Sequence, residues 1–221
     1  GKDVFIPLDW IIGGEKGAGR GWRMLVECLS AGRGISLPAL STATGHLASR
    51  MTSAYATVRQ QFGVSIGQFE GVQEALARIG GLTYTLESAR LMTAGAIDLK
   101  LSPSVVTAIA KYHMTEMGRT VMNDAMDIHS GKGIQVGPNN YLAHGYMGIP
   151  VSITVEGANI LTRNLMIFGQ GATRCHPFVL KEMEAAAMED HDVALKEFDS
   201  LLLQHILFAG SNAGMAFVHG L

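Results

Sequence analysis

The stretch Ile153-Thr154-Val155-Glu156-Gly157-Ala158-Asn159-Ile160-Leu161-Thr162-Arg163 runs from a β-branched triplet, through one carboxylate and one glycine, into an apolar helical pattern. Solvent has little room beside such a triplet, so Glu156 is expected at the wall of a cavity. Desolvation there disfavours the charged form of a carboxyl and would move it toward the range useful to a general base. Gly157 carries no Cβ and lets the backbone pass close to a ligand. From these residues alone a simpler account comes first: a glutamate in the first turn of a helix suits the helix dipole and does no chemistry.

Working outward, the helical signal dominates. Leu40, Ala43, Leu47, Met51, Ala54 and Val58 recur at helical spacing and are expected to face a core, on a helix over 22–60 interrupted near Arg33-Gly34 and Pro38. A second helix over 68–98 carries Val72, Leu76, Ile79, Leu82 and Leu86, and its Gly80-Gly81 pair suggests close helix packing. Ser102-Pro103 is an N-cap and first-turn signal for a third, whose stripe includes Ile109, His113, Met117 and Val121. His113 is expected to be a hydrogen-bonded core residue. Residues 139–150 read as an irregular connector, and a fourth helix is expected over 157–168. Val4 to Ile12 is a β-rich run that ends at Gly13-Gly14, and Gly17 to Gly21 is a bend. That bend lacks a P-loop lysine and an acidic residue at dinucleotide-fold spacing, so a phosphate loop is rejected.

Composition narrows the function. The 221 residues carry a net charge of −2, which gives no electrostatic case for nucleic acid. Cys28 and Cys175 have no metal-ligand spacing, so no metal site is expected and a reduced, cytoplasmic setting is the default. No uninterrupted apolar stretch qualifies as a membrane span; 201–221, the nearest, contains Gln204, His205, Ser211, Asn212 and His219. The chain opens at Gly1 without a methionine and stops inside an apolar pattern, the expected look of a piece of a longer protein.

Two further motifs stand out. Arg59-Gln60-Gln61-Phe62-Gly63-Val64-Ser65-Ile66-Gly67-Gln68-Phe69 sets a guanidinium beside an aromatic and a glycine turn, a combination suited to a diphosphate with a flat ring nearby. In Asp127-Ile128-His129-Ser130-Gly131-Lys132-Gly133-Ile134, the glycines let backbone N–H groups turn toward phosphate oxygens. These motifs and the Glu156 segment occur in the order found in the acyl-CoA dehydrogenase family, and the wording from Val155 to Gly169 resembles its large bacterial fatty-acid-oxidation branch. The resemblance spans about residues 3–173.

It implies an all-α fold, an antiparallel four-helix bundle with a short N-terminal β remnant and extra C-terminal helices. The expected division is 1–16, the end of a β-domain; 17–174, the bundle; and 175–221, the start of a further helical region. By resemblance Glu156 is the catalytic base that removes the α-proton of a fatty acyl-CoA. Arg33 and Gly157 are substrate-binding, and Arg59, Gln61, Phe62, Asp127 and Gly131 contact FAD, Arg59 and Phe62 that of the neighbouring subunit. An aspartate repels a diphosphate, which makes Gly131 a better ligand than Asp127. A minority of the family places its base just before the Arg33 position, where this chain has Gly32. The implied reaction is α,β-dehydrogenation to a trans-2-enoyl-CoA in β-oxidation. The implied partners are an electron-transfer flavoprotein or equivalent acceptor and a second copy, in a homodimer or homotetramer. Peripheral attachment at the inner membrane is the alternative to a purely cytoplasmic setting. An oxidase of the same fold and a non-catalytic assembly module are the other readings, and a piece of this extent is expected to be inactive alone.

Overall fold

In the computed structural model, which describes residues 1–101 and 103–220 without the side chains of Val26, Glu27, Ser30 and Ala31, the longest element is α1, Gly21–Val58. It runs unbroken through Arg33-Gly34 and Pro38, where the sequence suggested an interruption. A proline there removes one backbone bond. Packing of α1 against two other long helices offsets that loss, and Thr42 Oγ1 donates to Pro38 O at 2.9 Å in the same turn.

Arg59 ends α1, and a tight hairpin follows. Strands β1 (Gln60–Gln61) and β2 (Val64–Ser65) pair antiparallel, Gln60 opposite Ser65 and Gln61 opposite Val64. The two-residue loop has φ 52° at Phe62 and 80° at Gly63, the doubly positive geometry that matches strand twist in such hairpins. Helix α2 (Glu70–Asp98) then returns along α1, since Thr83 lies against Gly45 and Thr42 reaches the carbonyl of Leu86. Helix α3 (Ser104–His129) runs antiparallel to α2, with Arg78 on Asp124 at one end and Leu86 against Ala110 and Met114 toward the other. The expected N-cap Ser102 lies outside the described residues; the helix starts just after Pro103.

The four-helix unit is completed by α5 (Ala143–Thr154), which packs on α3 after a one-turn α4 (Gly131–Ile134). The fourth helix was expected later, over 157–168, and 139–150 was expected to be irregular. Asn140 accounts for the difference. Its Oδ1 accepts from the N–H groups of Leu142 and Ala143, satisfying the orphan donors at the start of α5.

Which faces are buried also departs from the apolar pattern. Leu40, Leu47, Met51 and Val58 on α1 are exposed, and the buried face is Ser41, Thr42, Gly45, Ala48, Thr52 and Ala56. Small residues let α1 approach its neighbours: a Cβ on Gly45 would lie 3.0 Å from Thr83 Oγ1, and one on Gly118 3.5 Å from Ser41. Gly80 and Gly81, by contrast, have nothing within 4 Å of that position, so the close packing expected of them is absent. His113 is exposed against Tyr112; the buried residues on that part of α3 include Ala108, Ala110 and Met114 together with the polar Thr107, Lys111 and Thr115. The N-terminal β-rich run forms no strand. Leu8–Trp10 is a 3-10 turn, and Val4, Phe5 and Ile6 are exposed without a strand beside them.

The chain divides into two compact units, 1–163 and 164–220. A π-helical stretch, Thr162–Gly169, crosses the division and leads into α7 (Gln170–Cys175). In the second unit α8 (Val179–Ala186) packs on α9 (His191–His219); Phe178 stacks on His205, whose Nδ1 lies 2.8 Å from Glu182 Oε1. Asp190 caps α9 by accepting from Asp192 and Val193 N–H. At 29 residues α9 is long and apolar enough to cross a membrane by length and composition, contrary to the expectation from single stretches of sequence.

Candidate functional site

Glu156 stands in the bend between two helices, ahead of the first turn of the second. Helix α5 closes with Val155 N–H donating to Val151 O at 3.0 Å, and α6 (Asn159–Leu161) begins three residues after Glu156. The bend needs φ of 54° at Glu156 and 90° at Gly157. Glycine reaches that region at no steric cost, whereas a glutamate there is held by its surroundings. A Cβ at position 157 would also come within 3.3 Å of Thr162 Oγ1 and 3.6 Å of Arg33 Nη2, so Gly157 admits Arg33 as well as the turn.

Arg33 is buried on α1 and donates from Nε to the carbonyl of Glu156 at 2.9 Å. Burial pushes its guanidinium pKa down, and Glu156 opposes that shift. Arg33 Nη1 and Glu156 Oε2 are both buried with no hydrogen-bond partner among the described residues. Unpaired polar atoms in a folded interior are rare, and here two lie at one bend. Gly32 faces the same place: a Cβ on it would be 3.5 Å from Glu156 Oε1.

Residues that the sequence did not single out hold this bend from the other side. Lys111, fully buried on α3, donates to Gly157 O at 2.8 Å and to Asn159 Oδ1 at 2.6 Å. Asn159 Nδ2 in turn donates to Thr115 Oγ1 at 3.0 Å and Glu116 Oε1 at 2.7 Å. Thr162 Oγ1 adds a bond of 3.1 Å to Gly157 O. Burial, reinforced by Arg33 and opposed by Glu156 and Glu116, pushes the Lys111 pKa down to about 8. The available signal was Thr107, Lys111 and Thr115 recurring every four residues along α3.

The five residues expected at FAD come together elsewhere. Arg59, Gln61, Phe62, Asp127 and Gly131 all line one open hollow of about 1200 Å³. Phe62, 94% exposed, projects from the hairpin with its edge toward Phe69 at 6.3 Å. The guanidinium of Arg59 makes no hydrogen bond or ion pair within the described residues. Half-buried tyrosines and the buried His129 back the hollow: Tyr55 stacks on His129 at 4.3 Å, and Lys132 Nζ sits 5.3 Å and 5.6 Å from the Tyr55 and Tyr141 ring centres. His129 Nδ1–H donates to Ala125 O at 2.8 Å, so its Nε2 accepts from the Tyr141 hydroxyl at 2.7 Å. Burial is the main cause that lowers the His129 pKa, and Lys132 adds to it.

Arg33 and Arg59 mark the two places on α1. Twenty-six residues of helix separate them, about 39 Å at 1.5 Å per residue. The carboxylate bend and the aromatic hollow therefore occupy opposite ends of the helix within one chain.

The helical unit with this bend is of the kind that forms the C-terminal domain of acyl-CoA dehydrogenases. An acyl-CoA dehydrogenase from Geobacillus kaustophilus superposes with a TM-score of 0.64 and 25% identity, over 71% of this chain and 40% of that one. Residues 19–168 match the family described as acyl-CoA dehydrogenase, C-terminal domain, and 173–221 match acyl-CoA dehydrogenase, C-terminal, bacterial type. The chain belongs to the acyl-CoA dehydrogenase family. The probable acyl-CoA dehydrogenase FadE10 of Mycobacterium tuberculosis is 28% identical over 162 residues, 71% of this chain and 24% of its own length. "Protein HemX" of Proteus mirabilis is 64% identical over 58 residues, 26% of this chain and 33% of that protein. The chain thus spans a third or less of the length of these curated relatives.

Proposed function

We propose that the complete protein catalyses FAD-dependent α,β-dehydrogenation of a fatty acyl-CoA in β-oxidation, with Glu156 as the base. The observation that carries this reading is the Glu156 carboxylate, with one buried, unpaired oxygen, on a bend whose carbonyl is tied to Arg33. A carboxylate with an unused lone pair at a rigid position is what abstraction of a weakly acidic α-proton requires. Gly32, opposite it, leaves room for the thioester. The backbone N–H of Glu156 has no acceptor among the described residues and can donate to the thioester oxygen as negative charge develops there.

The residues of the hollow fit a flavin dinucleotide. Arg59 offers an unpaired guanidinium for phosphate, Phe62 an exposed ring face, and Gly131 a backbone with nothing within 4 Å of its Cβ position. FAD, when bound, accepts the hydrogen lost from the β-carbon. Arg59 lies about 39 Å along α1 from the residue that holds Glu156, which supports a second copy completing each site. A homodimer or a tetramer built from it follows, with an electron-transferring flavoprotein or equivalent acceptor taking the electrons. We place the reaction in the cytoplasm. The length and apolarity of α9 support peripheral contact with the inner membrane as the alternative.

Glu156→Gln in the full-length flavoprotein tests the assignment. It keeps shape and removes the base, so turnover should fall by about 10²–10⁴-fold while flavin absorbance and analogue binding stay near parental. Parental exchange of the α-proton with solvent in this variant would mean that another residue is the base.

A further inference from the structure

Two adjacent carbonyls of the Glu156 bend point at cations. Arg33 Nε, from α1, holds Glu156 O at 2.9 Å, and Lys111 Nζ, from α3, holds Gly157 O at 2.8 Å. A trans peptide directs its C=O and N–H to opposite sides, so the N–H groups of Gly157 and Ala158 are turned away from both cations. The bend is thereby set in a left-handed conformation that a side-chain-bearing residue seldom keeps unaided.

Lys111 is an unusual choice for a merely stabilising contact. It is fully buried and touches no carboxylate; its two acceptors are a peptide carbonyl and the Asn159 amide, with Glu116 one residue further out. A buried ammonium without a direct counter-ion is expensive compared with an apolar residue of similar size. We propose that Lys111 is a positioning residue for the dehydrogenation: its ammonium, steered by Asn159 and Glu116, fixes the Gly157 carbonyl and with it the direction of the Glu156 carboxylate. This rests on Glu156 being the base.

The groups facing Lys111 are Arg33 from α1, Glu156 from the bend and Glu116 from its own helix, and with burial they bring its pKa to about 8. On deprotonation the amine keeps two N–H donors but loses the charge that strengthens both bonds. Turnover by a correctly held base should therefore decline above pH about 8.

The test uses full-length, flavin-loaded protein and reads acyl-CoA-dependent flavin bleaching and turnover against pH. Lys111→Met should lower kcat by about 10²-fold with little change in KM, and the decline above pH 8 should vanish. Glu116→Gln keeps an acceptor for Asn159 but removes a charge that raises the Lys111 pKa, so the decline should move to lower pH. Parental kcat and an unchanged pH profile in Lys111→Met would overturn the proposal. If that variant fails to retain flavin, Glu116→Gln decides: an unmoved profile overturns it, since a purely structural lysine has no reason to shift the pH dependence of kcat. Glu156→Gln run alongside separates the two ideas. Parental turnover there would mean the base assignment has failed, whereas an inactive Glu156→Gln beside a parental Lys111→Met would remove only the role of Lys111.

Discussion

Gly34→Ala inverts what helix propensity alone would suggest. Position 34 lies well inside α1 with an ordinary negative φ, where alanine is favoured over glycine by about 0.8–1.0 kcal/mol. The added methyl, however, would sit 2.6 Å from Thr107 Cγ2, 3.2 Å from Thr107 Cβ and 3.4 Å from Ile97 Cδ1. Overpacking of this kind costs about 1–3 kcal/mol, so the net change should lie between about 0 and 2 kcal/mol of destabilisation. Function should suffer with it. Gly34 adjoins Arg33, and Thr107 lies one turn before Lys111, so forcing α1 from α3 slackens both holds on the Glu156 bend. Where a 1 Å misplacement costs about 10²-fold, a shift of a few tenths should lower kcat by up to about tenfold. Denaturant unfolding and flavin-normalised turnover of the full-length protein measure the two effects. Thr107→Ser removes Cγ2 but keeps the hydroxyl that donates to Ser104 O, and in the Gly34→Ala background it should recover most of both losses. A Gly34→Ala protein about 1 kcal/mol more stable than the parent, with unchanged kcat, would refute the close approach of α1 and α3 as the determinant.

Lys111 should also make stability and activity diverge at alkaline pH. Its pKa is about 8 in the fold against an ordinary 10.5, so its contribution to stability is present above 10.5 and lost as pH falls through 8; unfolding free energy should rise by up to about 3 kcal/mol across that window, and Lys111→Met should flatten the rise. His129 acts at the acid end. Its lowered pKa means its contribution is present above its ordinary value of 6.5 and lost as pH falls below it, so His129→Gln should weaken the acid dependence of unfolding monitored by tyrosine absorbance. Reassembling Glu156→Gln with Arg59→Ala subunits in the presence of FAD should restore about a quarter of parental activity, because half the dimers are mixed and one of their two sites is intact. No recovery after verified mixing would mean that Arg59 serves the flavin of its own subunit.

Much of the molecule was legible in the linear order of residues. Long apolar periodicities made it helical, and the helices α1, α2 and α3 follow from them with boundaries displaced by a few residues. Motifs local in sequence were equally readable: the Arg59-to-Phe69 turn, the Asp127-to-Ile134 turn and the Glu156-Gly157 pair each carry their own backbone chemistry. On α2 the apolar stripe did mark the core, with Ile79 and Leu86 buried and Val72, Leu76 and Leu82 packed beside it, but on α1 apolarity misled. On α1 close helix approach selected glycine, alanine, serine and threonine for the inside, leaving Leu40, Leu47 and Met51 out. Nor could the start of α5 be read, since it depends on the Asn140 side chain taking over two backbone donors. The same holds for Lys111, which periodicity treats as a polar interruption. Its role exists only because α3 lies beside the bend 46 residues further along the chain, where a carbonyl and an amide wait for its ammonium. Sequence determined which segments could turn, coil and carry charge; tertiary packing decided which charges met, because hydrogen-bond partners so far apart in the chain are brought together only by the register in which the helices lie.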